Sequence, residues 1–333
     1  LFNSEILKSR TFKTAVISVG NITVGGTGKT PFVERLITIL KDNYRVIELS
    51  RGYKRKTKGL QEAVVGCTAA TIGDEPYQIF RKFPDVRVVA CANRCQAIGE
   101  LETRYSDTDV FILDDAFQHR YVNPGISILL IDYNRPIISD SILPYGNLRE
   151  SAAGRYRADI VVVTKCPASM NAFDAREIKN ILDLHAYQNL YFSTLKYSTP
   201  RRMVDGAPLE SLAGKEILLV TAIANPAPLK EFLGKNASSL DQIIYEDHHN
   251  YTKKDIAHIQ GRFDSIPNES KVIIITAKDE AKIVDMNISD ALSQSIYVID
   301  VEIDFLFGDG AEFSKKIIDY VEKNKRNSIL FAK

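Results

Sequence analysis

Tryptophan is absent and cysteine is scarce, with Cys67, Cys91, Cys95 and Cys166 the only thiols in 333 residues. Four thiols at these spacings make neither a disulfide framework nor two CxxC elements. The sequence therefore predicts reduced cysteines in a cytosolic protein. Cys91 and Cys95 could supply half a tetrahedral metal set, but no second pair completes it. Charge of one sign is also missing: Lys+Arg 43 against Asp+Glu 42 leaves +1, so no global field recruits nucleic acid. No apolar run approaches the ~18–20 residues of a membrane span, and no signal peptide is visible. The first residue is Leu1 rather than Met, so the natural start is expected upstream. Low complexity and internal sequence repeats are absent as well. What remains, 45% hydrophobic and 26% charged, is the composition of a globular protein long enough for two domains.

The most informative stretch is Val16–Pro31, VISVGNITVGGTGKTP. It reads as a buried strand (Ala15–Val19), a glycine-rich loop (Gly20–Gly28) and a helix opening at Lys29-Thr30-Pro31. A strand, a Gly-rich turn and Gly-Lys-Thr at a helix N-terminus form a phosphate cradle. Gly25, Gly26 and Gly28 allow close backbone approach. Lys29 would reach the β- and γ-phosphates, and the Thr30 hydroxyl suits Mg²⁺. The usual first glycine of G-x-x-x-x-G-K-[ST] is replaced by Thr23, and Val24 stands where the x-G-G-x-G-K-T variant often has Lys. The bland reading, an ordinary βα turn, does not need Gly-Lys-Thr between an apolar strand and an amphipathic helix.

Downstream, a helix over 31–41 buries Phe32, Val33, Leu36, Ile37 and Leu40 on one face. A strand at Tyr44–Leu49 empties into the basic run Ser50–Gly59, SRGYKRKTKG. Such a run is either a solvated face or a clamp for an anionic substrate, because open α/β sheets bind ligands at the carboxyl ends of strands. Arg51, Arg55 and Lys58 are its candidate contacts. A short strand near Ala63–Val65 precedes Gly73-Asp74-Glu75-Pro76, where Asp74 reads as a helix N-cap unless it has a chemical role. Further strands are expected at Val86–Ala90, Asp109–Leu113, Ile126–Ile131 and Asp159–Thr164, with helices at Arg94–Tyr105 and near Asn171–Leu184. The strand before Asp114-Asp115 ends in carboxylates, as the magnesium side of a phosphoryl-transfer site does. In Thr164-Lys165-Cys166-Pro167, Pro167 stands where a guanine-reading loop has Asp, so adenine is favoured. His119 could support the metal from behind. His185 and His258, in segments read as helical, carry little signal.

Continuous apolar strands alternating with helices predict a P-loop NTPase-like, doubly wound, mostly parallel sheet with a second, smaller α/β domain. The expected division is a kinase domain over 1–188, an extended connector over 189–215 and the smaller domain over 216–333. The second alternation has strands at Glu216–Thr221, Gln242–Tyr245, Lys271–Thr276 and Ser295–Val301. Its helices lie near Ala227–Leu233, Thr252–Phe263 and Asp279–Met286. The last helix, 311–325, could pack on either domain.

Several segments together are specific. ILKS, VGNITVGGTGKTP, LSRGYKRKTKG, GDEPY, ILDDAFQHR, ILPYGNLRE, VVVTK, DHHNY and TAKDEAKI span most of the chain. They make it similar to the tetraacyldisaccharide 4′-kinases, the lipid A 4′-kinases of Gram-negative bacteria. That family writes its phosphate loop with the same unusual first position. The resemblance implies transfer of the ATP γ-phosphate to the 4′-hydroxyl of a tetraacylated glucosamine disaccharide 1-phosphate, in a cleft between two domains. It implies ATP binding by Thr23, Val24, Gly25, Gly26, Thr27, Gly28, Lys29 and Thr30, and Mg²⁺ binding by Thr30, Asp114 and Asp115. Asp74 would be the catalytic base, tuned by His248 with His249 as runner-up. Lys29 and Asp115 would also serve catalysis. Arg94, Gln118 and Arg149 join Arg51, Arg55 and Lys58 on the substrate side. Leu143-Pro144-Tyr145-Gly146 departs from the family's LPAG, which alters the expected local lipid contacts. The resemblance implies an amphipathic N-terminal helix upstream of ILKS that docks on the membrane, and without it the attachment of this chain is expected to be weak. The expectation is a cytoplasmic protein, peripheral to the inner membrane and weakly attached, with no nucleic acid and no obligate protein partner.

The chemistry of the residues agrees. A sugar hydroxyl is a poor nucleophile, and positioning plus charge neutralisation by Lys29 and Mg²⁺ supplies most of the catalysis. A substrate with its own phosphate also accounts for the basic loop. Two other readings remain at this stage: a nucleotide-switch ATPase acting on a protein partner, and an adaptor with a vestigial phosphate loop. Val24 and the second domain oppose the first; Lys29, Thr30 and Asp114 oppose the second.

Overall fold

A computed structural model describes residues 7–247, 249–268 and 270–331. The chain divides into two compact units, Leu1–Lys196 with Glu302–Lys333, and Tyr197–Val301. The first unit opens with β1 (Ala15–Gly20), α1 (Lys29–Leu40), β2 (Val46–Ser50), β3 (Gln61–Glu62), α2 (Ala69–Ile72), α3 (Asp74–Lys82) and β4 (Arg87–Ala90). It continues through α4 (Arg94–Arg104), β5 (Val110–Leu113), β6 (Ile126–Asp132), β7 (Ile160–Thr164), α5 (Ala172–Leu182) and β8 (Asn189–Tyr197). The second unit holds β9 (Arg201–Arg202), β10 (Glu216–Thr221), α6 (Ala227–Asn236), β11 (Ser239–Ile244), α7 (Lys253–Asp264), β12 (Lys271–Thr276), α8 (Ala277–Ile283), α9 (Asp290–Ser295) and β13 (Ile296–Ile299). The chain then returns to the first unit through β14 (Val301–Phe305) and α10 (Gly310–Phe331).

Among the described residues the larger sheet has nine strands in the order β14-β8-β7-β6-β1-β5-β2-β4-β3. β1 lies between β5 and β6 and is parallel to both. All six of its residues are buried, as expected of a strand covered on both faces. The chain leaves β1 toward β2 on one side and later builds β6, β7 and β8 on the other. The carboxyl end of β1 is therefore a topological switch point, where doubly wound sheets bind ligands. The phosphate loop begins there. The smaller sheet runs β11-β10-β12-β13-β9, with β9 antiparallel to β13.

The predicted face of α1 is the buried one: Phe32, Val33, Leu36, Ile37 and Leu40 all point into the first unit. α10 packs on the same side, its Phe313 ring 5.6 Å from that of Phe32 at 76°. Farther along α10, the Tyr320 hydroxyl accepts a hydrogen bond from the Val16 amide at 3.0 Å and donates to the Val16 carbonyl at 3.2 Å. Gly125 makes this approach feasible, because a Cβ there would lie 2.0 Å from the Tyr320 hydroxyl.

Element boundaries depart from expectation in three places. Residues 189–197, expected as a connector, form β8, which continues the sheet beside β7. Its polar residues made the run look unpaired, yet Tyr191 and Phe192 are buried in the first unit. The expected strand Ser295–Val301 is two, β13 and β14, one in each sheet. The expected strand at Ala63–Val65 lies instead at Gln61–Glu62, antiparallel to β4, and Val65 is 98% exposed. No helix among the described residues is long and apolar enough to cross a membrane.

Gly125→Ala should displace the Tyr320 side chain and lower unfolding free energy by about 1–3 kcal/mol in urea denaturation. An unchanged midpoint would show that α10 tolerates the extra methyl.

Candidate active site

The loop after β1 is braced from behind. Buried Asn21 donates through Nδ2 to the Thr27 hydroxyl at 3.0 Å and the Gly25 carbonyl at 3.4 Å. The Thr164 hydroxyl donates to the Thr27 carbonyl at 2.9 Å. The Lys165 ammonium donates to the Gly26 carbonyl and reaches Asp132 Oδ2 at 2.7 Å. Arg135 donates to the Val24 carbonyl at 3.4 Å. Residues 147–149 pair alongside, with Val24 N–H bonded to the Asn147 carbonyl at 2.8 Å and Arg149 N–H to the Ile22 carbonyl at 2.7 Å. Carbonyls 24 to 27 are thus drawn backwards. Gly28 caps α1 at φ 81°, a left-handed conformation that favours glycine. The first amides of a helix have no intrahelical acceptor, so the loop and helix start offer N–H groups and the positive dipole end to an anion.

The strand tip after β5 supplies the opposing charge. Asp115 sits at φ 45°, a strained conformation for a non-glycine residue. Its carboxylate lies 3.5 Å from Lys29 Nζ and 3.2 Å from Arg149 Nη1. Burial alone would raise its pKa, but the charges of Lys29 and Arg149 outweigh that and hold it below the ordinary carboxylate value. Asp114 behaves oppositely. Burial, and next the charge of Asp115, push it up to about 7 against the pull of Lys29 and Arg94. One of its oxygens, Oδ1, is buried with no hydrogen-bond partner among the described residues. Behind it lies Glu48, fully buried in mid-strand with both carboxylate oxygens unpartnered. Burial first, and Asp114 second, raise Glu48 well above the usual range, which favours its neutral acid.

An orphaned, buried carboxylate oxygen beside a phosphate loop fits a divalent cation completed by phosphate oxygens. Magnesium typically takes only one or two protein carboxylates at such sites. No cluster of three or more His, Cys, Asp or Glu ligands exists among the described residues, so no all-protein metal cage competes with this arrangement. The Cys91–Cys95 pair joins no such cluster. Cys166 is buried, and burial pushes its thiol up to about 12.

Other predicted residues divide between outward and inward roles. Arg51 and Lys58 are exposed on the basic loop. Arg55 is half-buried, and its guanidinium donates to the carbonyls of Ala90, at 2.9 Å, and Gly59, at 2.6 Å. Arg94 is 3% exposed and donates to the carbonyls of Ala92 and Asp114, which makes it a brace of the strand tip. Gln118 bridges the Asn21 carbonyl at 2.6 Å and Glu150 at 3.0 Å. Thr23 and Thr27 are buried, so these two present backbone rather than side chain outward. Asp74 is the first residue of α3, and the cap is Gly73, so the N-cap reading of Asp74 does not hold. Gly73 packs against Gly52, which brings the α3 start beside the basic loop, and Glu75 is near enough to raise Asp114. His119 is half-buried and its pKa is lowered by burial and by Arg94. His185 lies beyond α5 and stacks on Tyr156.

His248 lies outside the described residues. His249 is engaged within the second unit: its ring stacks on Tyr245 at 4.5 Å, and Nε2 is 3.1 Å from Asp255 Oδ2. Nearby, Tyr251 donates to Asp279 Oδ1 at 2.9 Å, and Asp279 also accepts from Thr221, Ala222 and Thr276.

Residues 1–322 match the family model for tetraacyldisaccharide-1-P 4′-kinase. The tetraacyldisaccharide 4′-kinase of Bacteroides thetaiotaomicron is 43% identical over 98% of this chain and 90% of its own. That of Phocaeicola vulgatus is 44% identical over 98% and 92%. The chain belongs to the tetraacyldisaccharide 4′-kinase family. Its fold also matches the crystal structure of LpxK from Aquifex aeolicus, an "apo" form in complex with ATP, with TM-score 0.74 and 27% identity. That match covers 96% of this chain and 92% of the other.

In this kinase, sequence reasoning missed the residues that brace the loop, Asn21, Asp132 and Lys165, and also Glu150, which holds Gln118 and Arg157. Asp132 and Lys165 carried a signal, a charge at the end of an apolar strand, but nothing in sequence pairs them. Burial would raise the Asp132 pKa, yet the hydrogen bond and charge of Lys165 hold it below the ordinary value. Its stabilising contribution is present above the unfolded-state value of about 3.9, and is lost as pH falls through the lower folded value. Asp132→Asn should cost about 1–3 kcal/mol near neutral pH and weaken ATP binding about tenfold. Its stability deficit should shrink in acid. Chemical denaturation at two pH values and ATP titration would check this; a deficit independent of pH would rule out the ionised pair.

Proposed function

We propose that this kinase transfers the γ-phosphoryl group of ATP to the 4′-hydroxyl of a tetraacylated glucosamine disaccharide 1-phosphate, yielding the lipid A precursor. The observation that carries this reading is a family match over residues 1–322 joined to a phosphate loop whose Lys29 lies close enough to act on a buried, incompletely bonded aspartate, Asp114. The amides of residues 25–30 hold the β- and γ-phosphates, and Lys29 neutralises charge as the bond to the leaving ADP oxygen breaks. Thr30, Asp114 and Asp115 would hold Mg²⁺, which supplies further neutralisation of the phosphate oxygens when bound.

The 4′-oxygen attacks phosphorus, and Asp74 takes its proton. His248 supports that transfer; its assignment rests on the family resemblance. Arg51 and Lys58 face the anionic headgroup, while Arg55 and Arg94 hold the loop and strand tip that carry the contacts. Arg149 and Gln118 fix Asp115 and Glu150. Because the substrate is acylated, the reaction is assigned to the cytoplasmic surface of the inner membrane. The alternative, a switch ATPase, would turn over ATP without lipid, and no observation favours it.

Incubation of the chain with Mg-ATP and the disaccharide 1-phosphate lipid should yield a product heavier by one phosphate in mass spectrometry. ATP turnover that ignores the lipid would sink the proposal. Asp74→Asn should lower kcat at least about a hundredfold with an unchanged melting temperature, since loss of a general base costs about 10²–10⁴ in rate. Full activity in that variant would remove Asp74 from the mechanism.

A further inference from the structure

Two sizeable cavities are described in the first unit, and they differ in kind. One, about 280 Å³, is lined by charged and polar groups including His119, Arg157 and Asp159. The other, about 250 Å³, is mainly apolar. Its floor is Ile131 and Val163, at the carboxyl ends of β6 and β7, and its walls are Pro136, Ile178 and Leu182. Ile138 and Ile181 also line it while staying 40% and 56% exposed, which places them at its mouth.

The carboxylates nearby do not make it polar. Asp132 turns its oxygens to Lys165 and Arg135, and Asp174 accepts from the Asn171 amide in the cap of α5. Glu177 is exposed to water. A volume of 250 Å³ is below the ~300–1,000 Å³ of a drug-sized ligand site. At about 30 Å³ per water-sized group, it suits a single unbranched chain.

Continuity with the phosphate site identifies the occupant. The segment from Tyr133 to Arg149 contributes Pro136 and Ile138 to the cavity. It then exposes Ile142, Leu143 and Tyr145, the last 93% exposed. It ends by pairing with the phosphate loop and placing Arg149 on Asp115. At the other end, Asp132 lines the cavity while its ion pair with Lys165 braces Gly26. One stretch of chain, Tyr133 to Arg149, therefore lines the cavity at one end, exposes apolar side chains in its middle and pairs with the phosphate loop at the other end.

We propose that the cavity between β6, β7, α5 and the Tyr133–Ile138 turn receives an acyl chain of the lipid substrate. This rests on the lipid-kinase reading above. Burying methylenes there makes the site a selector for acylated acceptors rather than free sugar phosphates. Ile138 and Ile181 touch no reacting group, and both reach solvent, so charge at either position is compatible with folding.

The test compares two acceptors, the tetraacylated disaccharide 1-phosphate and the same disaccharide 1-phosphate without acyl chains. Wild-type protein is measured first with both; failure to phosphorylate either would overturn the lipid-kinase reading and this inference with it. With wild-type activity in hand, Ile138→Asp and Ile181→Asp should each raise KM for the acylated acceptor at least about tenfold, the scale of apolar-pocket discrimination. KM for ATP and the rate with the deacylated acceptor should stay at wild-type values. Ile178→Phe, which fills the cavity, should shift preference toward shorter acyl chains. An unchanged KM for the acylated lipid in all three variants would overturn the inference alone. So would equal losses on both acceptors, which would indicate damage to the phosphate site. A selective rise in KM for ATP would assign the cavity to the nucleotide instead.

Discussion

A loop can offer its amides to an anion only if its carbonyls are held elsewhere. That constraint organises the first unit. Carbonyls 24 to 27 are bonded by Arg135, Asn21, Lys165 and Thr164, from three different strand ends. The Asp132–Lys165 pair is central, because Asp132 is 4% exposed and a buried charge needs a close partner. Without it Lys165 would have no reason to lie across the loop. The parallel order β7-β6-β1 is what brings Asp132, Thr164 and Gly20 to one end of the sheet.

The electrostatics at that end sort two adjacent carboxylates into two states. Asp115 has Lys29 and Arg149 and stays ionised; Asp114, turned into the protein beside Glu48, is raised toward neutrality. The pull of Arg94 on Asp114 is outweighed by burial and by Asp115, and its guanidinium donates to the backbone carbonyls of Ala92 and Asp114. Ionising buried Asp114 and Glu48 together, beside the charge of Asp115, would be opposed by burial and by like-charge repulsion. Such an arrangement is expensive to keep in a folded protein unless a cation, or a phosphate-bound one, arrives to relieve it. The strained φ of Asp115 belongs to the same account, since strain persists where the surroundings over-determine a residue.

Much of this was legible in sequence, and for identifiable reasons. Buried parallel strands are continuous apolar runs, so β1, β5, β6 and β7 stood out. Gly-Lys-Thr and the Asp pair are local signals, readable without knowing the sheet order. What could not be read depends on distant pairing. β8 looked like a connector because it lies beside the end of the sheet and mixes polar residues into its run. α10 could not be assigned to a unit, since its partners are distant in sequence: Val16 lies 304 residues before Tyr320.

The basic loop shows why charge alone is an ambiguous signal. Arg51, Arg55 and Lys58 are indistinguishable in sequence. In the fold Arg55 is spent on two carbonyls of its own neighbourhood, at Ala90 and Gly59, and Arg94 is spent likewise. A guanidinium presents five donors in a fixed fork, which suits it to cross-link backbone turns as well as to bind phosphate. Half-burial forces the choice, because a partly desolvated cation must satisfy its donors from fixed partners. Arg51 and Lys58 remain in water. The same principle separates Thr23 and Thr27, buried and bonded inward, from Lys29 beside them. Buried and outward-lying residues alternate along this one short stretch, and sequence alone does not tell them apart.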